Sequence, residues 1–185
     1  MYCNTEVIVV IPAKQSSSRL PDKNRQKING KTLTELAYKY AHTSRYVDKI
    51  IISTDAADLS SFGDVSDAVY HSRKPEHLGE APLKNVLLDV IDGLGLVSPD
   101  PIVVCVQPDH VGREMSLDSS LEKLTKLGDV LLKSKEINGT PSGAYYMGML
   151  STFKLANPHI HYVVDKAINI HYLEDLEQAR KLSNE

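Results

Sequence analysis

Two runs of consecutive apolar residues stand out in the hydrophobic pattern of this chain. Residues 7–11 form one run near the N-terminus, and residues 102–106 form the other near the middle. Both are rich in β-branched residues and lack an alternating polar face, which is typical of parallel strands buried on both sides. We therefore expect both runs to be central strands of a sheet.

Weaker patterns predict the other elements. Further strands are expected at residues 49–53, 68–71, 130–132, 145–149 and 167–171, the second of them at an edge of the sheet. Helical spacing of apolar residues predicts helices within residues 33–41, 83–94, 117–124 and 173–182, with Leu173, Leu176, Ala179 and Leu182 of the last one facing inward. Thr32 and Glu35 predict a capping box before the first helix. Short helical turns are expected at residues 55–62 and 151–155, and a polar loop at residues 133–143.

The alternation of strands and helices predicts a Rossmann-like α/β fold with three layers, α/β/α, around a mostly parallel sheet. If the strand at residues 102–106 returns to the other side of the first strand, the strand order reverses between the two. The loops at residues 13–24 and 107–113 then face each other across the crevice where such sheets bind ligands. This arrangement puts Lys14, Arg19 and Lys23 opposite Gln107, Asp109 and Arg113.

The composition narrows the class of protein. The 185 residues suit one domain over residues 1–185, and 42% hydrophobic and 24% charged residues are ordinary for a globular protein. A net charge of -3 gives no electrostatic case for binding nucleic acid or a membrane surface. No apolar run approaches the roughly 20 residues of a membrane helix. Cys3 and Cys105 lack partners at metal-ligand spacing and no secretory segment precedes the first strand, so a cytoplasmic location is expected.

The loop after the first strand contains the strongest chemical signal. It combines three consecutive serines with Lys14, Arg19 and Lys23, and so offers hydroxyl groups, backbone N–H groups and three cations at the carboxyl end of a central strand. That inventory suits a polyphosphate ligand. The alternative is a polar surface loop whose cations are solvated.

Several stretches, in the same order, also carry a resemblance to a known family. They are Ile11-Pro12-Ala13-Lys14, Ser17, Arg19-Leu20-Pro21, Lys23-Asn24, Asn29-Gly30-Lys31, Ile51-Ile52-Ser53-Thr54-Asp55, Lys74-Pro75-Glu76, Val106-Gln107-Pro108 and Gly143-Ala144-Tyr145-Tyr146. This pattern resembles the sugar-acid cytidylyltransferases, the acylneuraminate and deoxy-octulosonate enzymes that make CMP-activated sugar acids. The chain looks like a short, divergent member, and the resemblance implies a glycosyltransferase-A-like nucleotidyltransferase fold.

The resemblance also implies roles for individual residues. Nucleotide contacts are implied at Ala13, Lys14, Ser17, Lys23, Asn24, Lys74 and Gln107, and catalytic roles at Lys23, Lys14 and Arg19. The family more often has arginine at the positions of Lys14 and Lys74, and lysine lacks the planar fork that makes two parallel bonds. Asp55 ends a strand as in the family, where that aspartate is mainly structural.

The metal site that the resemblance implies is incomplete here. The family's late Asp-x-Asp is replaced by Asn169-Ile170-His171, so Mg²⁺, or Mn²⁺, is expected at Asp109 with His171 as a further candidate ligand. One carboxylate plus substrate phosphates often suffices for Mg²⁺. Asp109 is equally explained by pairing with Arg113 or Lys23, and His171 by an ordinary histidine at a strand end. His110 is expected to be a solvent-facing loop histidine, with a general base as the alternative.

The acceptor side of the site departs from the family, because the insertion that builds the dimer arm and much of the acceptor pocket is shorter here. Arg113 and Tyr145 are the expected contacts to a small anionic acceptor, although basic residues in this region also suit a solvated face. A homodimer is implied by the resemblance. The predicted function is transfer of CMP from CTP to a sugar-acid-like acceptor. The alternatives are a nucleotide-binding or regulatory protein that has lost catalysis, or activity with another nucleotide.

Overall fold

The structure, a computed structural model, describes residues 2–79, 81–95 and 98–183. Its strands are β1 (Val7–Pro12), β2 (Lys27–Ile28), β3 (Lys31–Thr32), β4 (Lys49–Thr54), β5 (Val69–Ser72), β6 (Ile102–Cys105), β7 (His110–Val111), β8 (Leu131–Lys135), β9 (Pro141–Met149), β10 (Ile160–Val164) and β11 (Ile168–Asn169). Its α-helices are α1 (Leu33–His42), α2 (Leu83–Asp92), α3 (Leu117–Leu127), α4 (Leu150–Lys154) and α5 (Leu173–Leu182).

A seven-stranded sheet in the order β10-β8-β9-β6-β1-β4-β5 forms the centre of the fold. Strand β9 runs antiparallel to both its neighbours, and the other adjacent pairs are parallel. Strand β1 lies between β4 and β6, so the predicted reversal of strand order at β1 and β6 is confirmed. The mostly parallel Rossmann-like α/β class is confirmed with it.

The two faces of β1 explain why its residues form an uninterrupted apolar run. Val7, Val9 and Ile11 pack into a core with α1 and α3, whereas Ile8 and Val10 pack into a second core with α2 and α4. All five side chains are completely buried. Burial of one such side chain is worth about 1.5–3 kcal/mol, so β1 is fixed firmly at the point where the loop after it begins.

A third apolar cluster holds the smaller elements against the end of the sheet. It joins the β2–β3 and β7–β11 ribbons to α5 through Ile28, Val111, Ile170 and Leu176, among others. The prediction that Leu173 and Leu182 face inward is wrong, because both lie at the ends of α5 with 54% and 53% of their surface exposed. The smaller cluster is covered by the middle of the helix alone.

The C-terminal half contains most of the errors in the predicted elements. The loop predicted at residues 133–143 is a hairpin of β8 and β9, closed by a turn in which Gly139 has φ 91°. Strand β10 was not predicted, because its residues alternate weakly and it lies at an edge of the sheet. The strand expected at residues 167–171 contains only two residues and pairs with β7 instead of the central sheet.

Two other expectations concern short helices. The helix expected at residues 55–62 is only a 3-10 turn at Ser60–Phe62. The cap of α1 is as predicted on one side, since the Thr32 hydroxyl accepts from the Glu35 N–H at 3.0 Å. The Glu35 carboxylate instead pairs with Lys39 at 2.7 Å.

Across the described residues, no helix has both the length and the apolar character that crossing a membrane requires.

Candidate functional site

The loop after β1 is held in shape by bonds to the end of β4. The Ala13 N–H donates to the Ser53 carbonyl at 2.9 Å, and the Gln15 N–H donates to Asp55 Oδ1 at 2.6 Å. Within the loop, Asn24 Nδ2 donates to the Lys14 carbonyl at 2.8 Å. Asp55 therefore positions the loop, in agreement with its structural interpretation. These hydrogen bonds give the loop a defined conformation.

An ion pair joins this loop to the loop after β6, as the predicted arrangement of the two loops requires. Lys23 Nζ contacts Asp109 Oδ2, and each side chain is only 15% exposed. Burial raises the pKa of the Asp109 carboxyl, but the hydrogen bond from His110 and the charge of Lys23 outweigh burial and lower that pKa well below its ordinary value. Asp109 is accordingly an ionised carboxylate at the crevice.

His110 completes this arrangement from the opposite side. Its Nε2 accepts the Gly143 N–H at 3.1 Å, so the ring hydrogen of the neutral imidazole lies on Nδ1 and is donated to Asp109 Oδ1 at 2.9 Å. The prediction that His110 faces solvent is wrong, because the residue is 2% exposed. Its chemical role here is to orient Asp109.

The two loops enclose a cleft of about 180 Å³ at the carboxyl end of β1. The predicted site residues that line it are Lys14, Lys23, Asn24, Gln107 and Asp109. Lys14 Nζ donates to the Gly79 carbonyl at 3.0 Å across the mouth. Gln107 lies directly against Gly143, where a Cβ would overlap its side-chain amide. Two lysine cations, two side-chain amides and a carboxylate thus converge on one small space.

Arg73 also lines this cleft and was missed in the sequence. Its residue surface is 9% exposed, and its Nη2 donates to the Ser53 carbonyl at 3.0 Å. Its Nε is buried and has no hydrogen-bond partner among the described residues. Burial lowers the pKa of the guanidinium, and Asp55 acts in the opposite direction. A buried N–H group of this kind is available to a ligand in the cleft.

Lys74, which was predicted to contact the nucleotide, points elsewhere. Its Nζ pairs with Asp89 of α2, and its side chain is 57% exposed. Lys74 does not line the cleft. Its neighbour Arg73 lines the cleft instead, because the two side chains leave the backbone after β5 in different directions.

Of the predicted acceptor contacts, Tyr145 is buried and Arg113 is partly buried with its guanidinium bonded to the backbone. Arg113 Nε and Nη2 donate to the carbonyls of Ala144 and Gln107 at 3.0 and 2.5 Å, and the guanidinium lies 4.9 Å from the Tyr40 ring centroid. Tyr145 is completely buried, which raises the pKa of its hydroxyl to about 12. Tyr145 therefore has no exposed surface with which to contact an acceptor, and Arg113 ties three backbone segments together.

Ser17 and Arg19 lie on the same loop but outside the cleft. Arg19 Nη1 lies 2.8 Å from His171 Nδ1. Because arginine is only a donor, Nδ1 accepts this bond and the hydrogen of the neutral imidazole lies on Nε2. Burial first, then the charges of Lys23 and Arg19, lowers the pKa of His171. Within residues 2–79, 81–95 and 98–183, no three histidine, cysteine, aspartate or glutamate side chains have an arrangement that could hold a metal ion.

The sequence is similar to those of known proteins over part of its length. A family model described as cytidylyltransferase matches residues 8–111. A 3-deoxy-manno-octulosonate cytidylyltransferase of Ruthia magnifica is 32% identical over 102 residues, which are 55% of this chain and 40% of the relative. The corresponding protein of Chlamydia pneumoniae is 46% identical over 48 residues, or 26% of this chain and 19% of the relative. The matched segments thus span less than half the length of these curated relatives.

Solved structures resemble the chain over nearly all of its length. A CMP:2-keto-3-deoxy-manno-octonic acid synthetase complexed with CTP has a TM-score of 0.76 at 14% identity, covering 97% of this chain and 99% of the other. A Bacillus anthracis protein described as a putative glucose-1-phosphate thymidylyltransferase has a TM-score of 0.73 at 13% identity, covering 97% and 96%. At such identities the likeness describes the fold.

Proposed function

Because the chain belongs to the cytidylyltransferase family, we propose that it transfers CMP from CTP to a small anionic acceptor and releases pyrophosphate. The observation that supports this most is the cleft at the carboxyl end of β1, where Lys14 and Lys23 face Gln107 and Asp109. Cations on one loop and polar groups on the other suit a ligand that has a triphosphate at one end and a base at the other.

In the proposed reaction, a hydroxyl oxygen of the acceptor attacks the α-phosphorus of CTP. A new P–O bond forms while the bond from the α-phosphorus to the bridging oxygen breaks, and pyrophosphate leaves with that electron pair. The hydroxyl proton passes to solvent. Lys23 and Lys14 neutralise the negative charge that builds up on the phosphate oxygens, which is the main way in which proteins accelerate this chemistry.

Mg²⁺ is part of the proposal, with Asp109 as the protein ligand. The carboxylate is ionised, and each oxygen retains a lone pair after accepting from Lys23 or His110. One such oxygen fits Mg²⁺ when substrate phosphates and waters supply the remaining ligands. The bound ion supplies charge neutralisation at the phosphates. His171 fits less well, because Mg²⁺ prefers oxygen ligands and Nδ1 already accepts from Arg19.

The acceptor is proposed to be a sugar acid. The curated relatives are named for transfer to 3-deoxy-manno-octulosonate, which supports this class of acceptor without identifying the compound.

A nucleotide-binding protein that has lost catalysis is the second candidate. The observation that favours it is the use of both Asp109 oxygens within the protein, together with Asn169 and His171 in place of carboxylates.

Calorimetric titration with CTP, with and without Mg²⁺ or Mn²⁺, tests the nucleotide half of the proposal. ATP, GTP and UTP serve as comparators. We expect selective CTP binding that tightens with metal, and a loss of roughly tenfold or more in Lys23→Ala, because a charge-assisted hydrogen bond is worth about 1.5–3 kcal/mol. Asp109→Ala should abolish the metal effect. Lys126→Ala, at an exposed lysine of α3, and Asp129→Ala, at an exposed aspartate, are matched controls with unchanged affinity.

Release of pyrophosphate on addition of a sugar acid then separates the two candidates. Metal-dependent release from CTP supports the transferase. CTP binding without release across a panel of sugar acids supports the binder, and absence of nucleotide binding contradicts both.

A further inference from the structure

Three polar side chains form a cluster behind the segment that joins β5 to α2. His71 of β5 and His77 of the 3-10 turn Pro75–His77 both place Nε2 near Oδ2 of Asp89, at 3.6 and 3.8 Å. Asp89 lies near the end of α2, and its side chain is only 8% exposed. Two imidazole rings thus face one oxygen of a buried carboxylate.

The unusual atom of this cluster is Asp89 Oδ2. It is buried and has no hydrogen-bond partner in the part of the chain that the structure describes, whereas Oδ1 accepts from Lys74. Buried polar atoms are almost always paired, and leaving a carboxylate oxygen without a donor is costly. A charge-assisted N–H···O bond is about 2.7–2.9 Å long, so a movement of about 1 Å by either ring would supply the missing donor.

The segment in front of the cluster is a wall of the cleft after β1. Arg73, His77 and Gly79 line that cleft, and the Gly79 carbonyl accepts from Lys14 Nζ at 3.0 Å. The 3-10 turn within the segment has no side-chain cap. Asp89 does not line the cleft. Its carboxylate therefore acts on the cleft through the segment, by way of the histidine that reaches both.

The two histidines of the cluster differ in their response to a proton. Burial is the largest cause that lowers the pKa of His71; Asp89 raises this pKa, and the charges of Arg73 and Lys74 lower it further. His71 is therefore neutral near neutral pH. His77 lines the cleft, where a bound ligand can change its charge state.

Charged and titratable groups surround His77 on both sides. On the side of the cleft they are Lys14, Lys23, Arg73 and Asp109. On the side of α2 they are His71, Lys74, Glu76 and Asp89. Lys23 is paired with Asp109, which leaves Lys14 and Arg73 as the cations of the cleft wall. An anion held by these cations favours a positive charge on the neighbouring imidazole.

We propose that Asp89 is a positioning residue for the nucleotide site: it accepts a hydrogen bond from protonated His77 when an anionic nucleotide occupies the cleft, and so fixes the segment from Arg73 to Gly79. The inference rests on the proposed nucleotide-binding function and deepens it. Nucleotide binding is then coupled to uptake of a proton. Because such coupling is reciprocal, affinity for the nucleotide rises as the pH falls through the range in which histidine titrates.

Calorimetric titration with CTP between about pH 8 and about pH 6 measures this coupling. Pairs of buffers with different ionisation enthalpies report the proton uptake. We expect the CTP affinity of the wild type to rise about fivefold relative to His77→Gln as the pH falls, which is the low end of coupling between sites. Asp89→Asn keeps the size of the side chain without its charge and should lose most of this gain. Protonation of CTP itself is common to all variants.

His42→Gln is the matched control for this titration. His42 Nε2 faces Asp67 Oδ2 at 3.9 Å, but neither residue lines the cleft. We expect this variant to retain the pH dependence of the wild type. Thermal melting shows whether each variant is folded.

A second measurement needs no nucleotide, because low pH also protonates His77 in the absence of an anion. The backbone amide resonance of Gly79 is followed in ¹⁵N-labelled protein over the same pH range. We expect it to move in the wild type and much less in Asp89→Asn.

The inference is overturned if His77→Gln and the wild type show the same change of CTP affinity with pH, or if the Gly79 resonance moves equally in the wild type and Asp89→Asn. A Gly79 response that depends on Asp89, without CTP binding at any pH, contradicts the proposed function and supports the positioning of the segment by Asp89.

Discussion

Arg73 and Lys74 are neighbours in the chain, yet their side chains have opposite surroundings. Arg73 is buried at the cleft after β1 and its Nε has no hydrogen-bond partner in the part of the chain that the structure describes, while Lys74 pairs with Asp89 outside the cleft. The guanidinium can donate to a base carbonyl from Nε and keep its bond to Ser53 from Nη2. The proposed nucleotide site therefore contains an arginine, although the motif at this position has lysine.

Substitution of these two residues gives a matched pair. We expect Arg73→Met to weaken CTP binding roughly tenfold and to reduce the preference for CTP over UTP, and Lys74→Met to change affinity by less than about twofold. Calorimetry measures both, and thermal melting shows whether either variant has lost its fold. A larger loss of affinity in Lys74→Met than in Arg73→Met contradicts this arrangement.

Gly143 has a role that depends on its lack of a side chain. In Gly143→Ala the new Cβ overlaps the Gln107 amide, and the flexible glutamine must move away. We expect CTP affinity to fall several-fold, by about 1 kcal/mol, with little change in melting temperature because a side-chain end can shift cheaply. Gly95→Ala has open space around its Cβ and is the control. An unchanged CTP affinity in Gly143→Ala excludes Gln107 from the nucleotide contacts.

The β8–β9 hairpin is the element that the sequence pattern predicts least well. Residues 133–143 are polar and contain glycine, which is the composition of a loop. In the structure, the hydroxyl group of Ser134 is buried within the hairpin. Ser134 Oγ accepts the Tyr145 N–H at 3.2 Å and contacts Ser142 Oγ at 2.8 Å, close to an irregularity in the pairing between Lys133 and Lys135. Polar residues are tolerated inside this hairpin because their partners lie across the pair.

Removal of that hydroxyl should destabilise the protein. Ser134→Ala leaves the buried Tyr145 N–H without an acceptor, at a cost of about 1–3 kcal/mol in the free energy of unfolding. Urea denaturation measures the change. Ser66→Ala removes an exposed hydroxyl and should remain within about 0.5 kcal/mol of the wild type. Equal stability of the two variants is the outcome that contradicts this account of the hairpin.

Two histidines couple the stability of the whole molecule to pH. Burial is the largest cause that lowers the pKa of both His71 and His171 in the folded protein. The unfolded chain has histidine pKa values near about 6.5 and binds more protons than the folded chain below that pH. Stability is therefore lost as pH falls below about 6.5, in the range between the unfolded and the lowered folded pKa values.

Thermal melting between neutral pH and pH 5 measures this dependence. We expect the melting temperature of the wild type to fall across the interval, and the fall to be smaller in His71→Gln and in His171→Gln. His42→Gln, which removes an exposed histidine of α1, should retain the wild-type slope. If His71→Gln and His171→Gln show the same change of melting temperature with pH as the wild type, other groups cause the pH dependence.

The sequence alone determined the centre of the fold and the position of the loop after β1 that lines the cleft. Residues 7–11 and 102–106 are apolar without interruption. Such a run is typical of a strand whose two faces are both buried. Their adjacency placed Lys23 opposite Asp109, because the carboxyl ends of parallel strands meet at the same edge of a sheet. These inferences succeeded because they depend on local pattern and on a general rule of topology.

Contacts between segments that are distant in the chain decided where the other predicted site residues lie. Tyr145 lies in the core and Arg113 bonds separate backbone segments together. Arg73, not Lys74, lines the cleft. Strand β11 lies outside the central sheet because it pairs with β7, far from it in the chain. Side-chain burial and direction are set by partners that the local sequence does not contain, so the surroundings of these residues emerged only with the folded chain.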